Sequence, residues 1–186
     1  MKKKPMVFLF PLVLLFTSVT AQDKYYTKSG KIHFISQGVI ETIEAQHKSV
    51  TCVLDTKTGN IQFSVLLKGF EFRKALMQEH FNEDYVESDK YPRSEFRGQI
   101  TNNGDINYSK DGEYDAKVKG MLSLHGETRE IEASGKIIIK NGKVQADAEF
   151  NIQMSDYKIS IPSLVKQNMS NTIKISTDCT LEPLKS

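Results

Sequence analysis

The residues able to do chemistry are few and scattered. His33, His47, His80 and His125 stand far apart in the chain. No two sit at a spacing that puts a pair of ligands on one helix or strand face, and neither cysteine lies near them in sequence. There is no Gly-x-Ser-x-Gly elbow, phosphate-binding glycine loop or dinucleotide fingerprint. Carboxylates such as Glu127, Glu130 and Glu132 are plentiful, but they fall on the polar faces of strands and turns, where solvation is their ordinary state. Acid–base catalysis needs a positioned group, and none can be named. The chain therefore reads as a non-enzyme, without cofactor or metal.

The remaining reactive groups are two thiols. Cys52 and Cys179 share strand parity with apolar neighbours, so both point inward. A bridge would require Cα atoms within about 7 Å. The sequence does not make their strands neighbours, so two buried thiols are expected. Ten Phe and seven Tyr, with no Trp, either fill a core or line a ligand tunnel.

Period-two alternation dominates the elements that must carry these residues. Val144, Ala146, Ala148, Phe150 and Ile152 alternate with Gln145, Asp147, Glu149 and Asn151; Ile131, Ala133, Gly135, Ile137 and Ile139 form a matching face. Asn141-Gly142 between them predicts a type I′ hairpin, whose two central residues need positive φ. Further strands are read around Ile32 and Phe34, Val50 to Leu54, Ile61 to Leu67, Phe96 to Ile100, Val118 to Leu124 and Ile173 to Leu181. Parity switches after Leu67, and Gly69 marks a bulge or bend there. Leu76, Met77 and Phe81 fall at helical spacing and predict one short amphipathic helix over 73–82, stopped before Tyr91-Pro92. Pro162 to Asn171 reads as a long polar connection. About eight strands joined by tight turns imply a sandwich or a closed barrel. Inward glycines at Gly98, Gly120 and Gly135 relieve crowding in a coiled sheet or leave room inside, which favours a barrel with a cavity.

The N-terminus has the three-part layout of a secretory signal peptide: Lys2 to Lys4, an apolar run of 11 residues from Met6 to Phe16, and Val19-Thr20-Ala21 before the cut. A spanning helix would need roughly 20 residues. Residues 1–21 are expected to be removed, leaving 22–186 as a single domain with no integral membrane segment. The formal charge then falls from +2 to −1, because the leader carries three lysines and no acid. A near-neutral chain lacks the field that draws a protein to phosphates, so nucleic acid is excluded as a partner. A homodimer is compatible with the sequence.

Phe70-Glu71-Phe72, Leu76 to Asn82, Lys90-Tyr91-Pro92 and Glu95-Phe96-Arg97-Gly98, then Val118 to Ile131 with its Leu124-His125-Gly126-Glu127-Thr128 core, and finally Met154 to Ile159 with Pro162, occur in one order along the chain. In that order and spacing the sequence resembles the YceI-like family over essentially all of 22–186. The resemblance implies a mainly β fold, an antiparallel lipocalin-like β-barrel of about eight strands with one short helix. It also implies a periplasmic protein, with extracellular release as the variant, that holds a long isoprenoid or similar amphiphilic lipid inside the barrel. On the matching segments, Phe72, Leu76, Met77 and Phe81 around the helix, and Phe96, Leu122, Leu124 and Phe150 on strands, are the expected apolar lining. His125 has the opposite parity to Leu122 and Leu124, so a turn-stabilising hydrogen bond is expected of it. The competing expectation is a non-catalytic stress-response or interaction protein that uses the barrel as a scaffold; it predicts an interior filled by side chains.

Overall fold

The computed structural model describes residues 23–163 and 169–184. The expected signal peptide, 1–21, and residues 164–168 of the predicted polar connection lie outside the described residues. Among the described residues nine strands run β1 Lys24–Gln37, β2 Thr42–Asp55, β3 Asn60–Leu66, β4 Glu71–Phe72, β5 Arg93–Ile100, β6 Gly112–Leu124, β7 Glu127–Lys140, β8 Lys143–Gln153 and β9 Thr172–Pro183. Neighbouring strands around the sheet, in the order β1-β9-β8-β7-β6-β5-β3-β2, are all antiparallel, and β1 pairs with β2 to close it. The result is an eight-stranded barrel, with the two-residue β4 added on the upper part of β2 opposite Ala45 and Gln46. Closure leaves no long sheet edge unpaired, which is what stabilises an all-antiparallel sheet of this size against edge-to-edge association.

The hairpin at Asn141-Gly142 forms as its chemistry demands: φ is 52° at Asn141 and 74° at Gly142, and Lys140 pairs with Lys143. At Gly69 the chain bends through a 3-10 turn, Leu67–Gly69. That glycine is required sterically, because a Cβ there would lie 2.2 Å from His47 Nε2. His47 is buried, donates to the Leu66 carbonyl at 3.0 Å and accepts the Ser49 N–H at 3.0 Å.

The predicted helix is shorter than its spacing suggested. Helix α1 covers Ala75–His80, none of its residues is buried, and the chain continues as a π turn over Phe81–Tyr85. The wider turn, closed by Val86 N–H to the Phe81 carbonyl at 3.0 Å, brings Phe81, Tyr85 and Val86 onto one inward face. The inward glycines are used differently from the roomier of the two expectations. Gly98 pairs with Gly120, and the Phe96 ring lies over both, so that a Cβ would sit 2.5 Å and 2.7 Å from its Cζ. Gly135 admits the β8 backbone, whose Asp147 carbonyl would be 1.9 Å from a Cβ. These glycines let the sheet coil, and the space they release is taken by the protein itself.

Candidate functional site

The lower end of the barrel is solid. Val50, Cys52, Leu54, Val144, Cys179 and Leu181 are wholly excluded from solvent, and Ile106 and Tyr108 of the β5–β6 connection pack against this core. Above it the interior opens into a cavity of about 170 Å3. The hollow follows from residue size along cross-strand rows. Ala116, Gly135, Ala148, Thr177 and Ile32 form one continuous row across β6, β7, β8, β9 and β1. Ala116, Ala148 and Thr177 in this row carry small side chains, so that wall stands back from the axis. The facing row, Phe63–Phe96–Leu122 on β3, β5 and β6, is bulky. A narrow space remains between them.

The upper end is roofed by aromatic rings. Phe34 on β1, Phe70, Phe72 on β4 and Phe81 pack with centroid separations of 5.1 to 5.8 Å, mostly edge to face or tilted, the geometry that ring quadrupoles favour. Phe34, Phe70 and Phe81 face the cavity, together with Met154, Ile159 and Met169 from the β8–β9 connection. Among the described residues, Ser94, Thr177, Tyr85, Lys136 and Asp147 are those with polar or charged side-chain groups bordering it, and Ser94 Oγ is already committed to the Ser123 carbonyl at 2.9 Å. The wall is therefore almost entirely hydrocarbon.

Of the residues expected to line the interior, Phe81, Phe96, Leu122, Leu124 and Phe150 border the cavity. Phe72 stands behind them, packed on Phe34 and Phe81. Leu76 and Met77 do not border the cavity, and Leu76 is 61% exposed. The helix shields the roof and leaves the lining to Phe81. Phe34, Phe63, Phe70 and Ile131 were not singled out, although Phe63 shares parity with Ile61 and Val65, and Phe34 with Ile32. Parity alone would have found those two.

Among the described residues no group of three or more His, Cys, Asp or Glu side chains is placed to hold a metal ion. His80 pairs with Asp84 at 2.6 Å on the exposed side of the helical segment. His125, at φ 52° in the β6–β7 turn, bonds the Tyr157 carbonyl at 2.9 Å and Glu87 at 2.7 Å, the turn-holding role expected of it. No helix among the described residues is long and apolar enough to cross a membrane.

The model of the YceI-like domain matches residues 24–181. No curated protein sequence matches the chain. Among solved structures, a polyisoprenoid-binding domain from Saccharophagus degradans, implicated in plant cell wall breakdown, superposes with a TM-score of 0.74 at 12% identity, covering 88% of this chain and 100% of its own. BcnA of Burkholderia cenocepacia gives 0.66 at 14% identity over 82% of this chain and 95% of its own. A YceI protein of Campylobacter jejuni gives 0.61 at 15% identity over 97% and 100%. At such identities the likeness is one of fold.

Proposed function

Since the chain belongs to the YceI-like family, whose domain spans 24–181, we propose that it is a periplasmic binding or carrier protein that holds an isoprenoid, a quinone-like molecule or another long-chain amphiphile in the barrel interior. The observation that carries this reading is the hydrocarbon-walled hollow between the solid lower core and the ring of Phe34, Phe70 and Phe81. An apolar chain entering it leaves water at roughly 25 cal/mol per Å2. With almost no free polar group on the wall, selection rests on shape: 170 Å3 is slender beside the ~300–1,000 Å3 of ordinary small-molecule pockets. A thin, flexible chain suits it better than a fused-ring compound. The structural similarity to a polyisoprenoid-binding domain points the same way. The scaffold alternative called for a filled interior and has no such support.

The test is titration of the detergent-free protein with a fluorescent polyene fatty acid, followed by competition with an unlabelled polyprenol. The reading predicts saturable binding that the polyprenol displaces. Fluorescence that never saturates, or that saturates without displacement by any long-chain lipid, contradicts it.

A further inference from the structure

The two thiols do not belong to the cavity, and their placement is unusual. They are the chain's only cysteines, both are fully buried, and they stand on β2 and β9, the strands on either side of β1. In a regular sheet, strands separated by one neighbour lie about 9.6 Å apart, beyond the reach of a disulfide, which needs Cα atoms within about 7 Å. Here β1 is not regular. Its pairing with β2 shifts register between Thr27 and Ile32, and its pairing with β9 is interrupted between Tyr26 and Lys31. Within that gap stands Gly30, where a Cβ would lie 2.5 Å from Cys179 Sγ and 3.1 Å from the Val50 carbonyl oxygen. The Cys179 thiol thus occupies the volume a side chain on β1 would fill. Cα atoms of β2 and β9 come within 8 Å of each other, so the two strands that carry the cysteines meet across β1.

We propose that Cys52 and Cys179 form a disulfide that fastens β2 to β9 across the bulge in β1, made by exchange with an oxidised dithiol protein or a small-molecule disulfide. One cysteine thiolate attacks a sulfur of the donor disulfide and displaces a thiolate, giving a mixed disulfide. The second cysteine thiolate then attacks the chain's own sulfur and displaces the donor's other thiolate. The two thiols lose two protons and two electrons, and the donor disulfide takes them up as two thiols. In the closed barrel, the neighbouring Cys179 thiol and then burial raise the Cys52 thiol well above its usual value. No reagent reaches it there, so exchange belongs to the folding chain, before the seam closes. The inference is independent of what the cavity carries.

The full chain is expressed with export to an oxidising compartment, and a second sample is denatured, reduced and refolded with oxidised glutathione. Both are denatured in iodoacetamide without reductant and mapped by mass spectrometry. The proposal predicts a Cys52–Cys179 cross-linked peptide, an intact mass lighter by two hydrogens and no alkylation until reductant is added. Reductant lowers the Tm of this protein by several degrees and leaves that of the Cys52→Ala/Cys179→Ala double variant unchanged. Two alkylated cysteines in both samples, or bridging between chains in place of this link, would overturn it.

Discussion

His125 Nε2 lies 2.7 Å from Glu87 Oε2, and Nδ1 of the same ring donates to the Tyr157 carbonyl at 2.9 Å. One imidazole thereby ties the β6–β7 turn to the segment after the π turn and to the start of the β8–β9 connection. Tyr91 packs edge-on against it at 4.9 Å. Glu87, His125 and Lys158, three non-glycine residues at positive φ, cluster around this knot, and such backbone persists only where the surroundings hold it. Replacing His125 by Ala leaves the buried Tyr157 carbonyl without its donor and Glu87 without its ring partner. We expect a loss of about 1–3 kcal/mol in urea unfolding; a change below about 0.5 kcal/mol, the range of ordinary surface substitutions, would contradict this role.

Tyr157 supplies a pH dependence. Its side chain is buried, and its hydroxyl has no hydrogen-bond partner among the described residues. Burial pushes the phenol from 10.0 up to about 12. The folded chain therefore keeps a proton that the unfolded chain releases, and stability is lost as pH rises from 10 towards 12. Tyr157→Phe removes an unpartnered polar group, so it should leave stability at pH 7 unchanged or raise it by up to about 1 kcal/mol. It should also flatten the decline above pH 10, read by thermal unfolding across pH. A large loss at pH 7 would mean the hydroxyl is engaged.

The helix was legible in Leu76, Met77 and Phe81, but its inward face was not. Helical spacing predicts which residues share a stripe, whereas the π turn that swings Phe81, Tyr85 and Val86 inward while α1 stays unburied is set by packing against Phe34 and Phe70. The Asn141-Gly142 hairpin was legible because its two residues alone dictate the turn. The full lengths of β1 and β2 were hidden by bulges: buried parity runs Ala45, His47 and then Val50, Cys52, Leu54, so alternation breaks within one strand. The meeting of Cys52 with Cys179 was hidden for the same reason, since it depends on where β1 loses its register.

Phe81 and Leu76, which helical spacing places together, should separate on substitution. Phe81→Ala removes a ring in contact with three others, at a cost of about 3–5 kcal/mol. Leu76→Ala, at an exposed position, should stay within about 0.5 kcal/mol. Equal effects in urea unfolding would place the helix against the core after all.

Filling the hollow should separate binding from folding. Ala133 borders the cavity on the small-residue side, so Ala133→Phe can project into empty space. We expect stability within about 1.5 kcal/mol of the native chain, together with at least about tenfold weaker uptake of a polyene fatty acid, equivalent to about 1.4 kcal/mol. Undiminished uptake would place the lipid somewhere other than the barrel interior.

The most direct measurement is native mass spectrometry of the protein purified without detergent, beside the Ala133→Phe variant prepared in the same way. A hydrocarbon-walled space of about 170 Å3 predicts a co-purifying adduct with the mass of a long-chain lipid, carried by the native chain and absent or strongly reduced in the variant. A native chain that flies bare, and stays bare after incubation with polyprenols and quinones, would contradict the account.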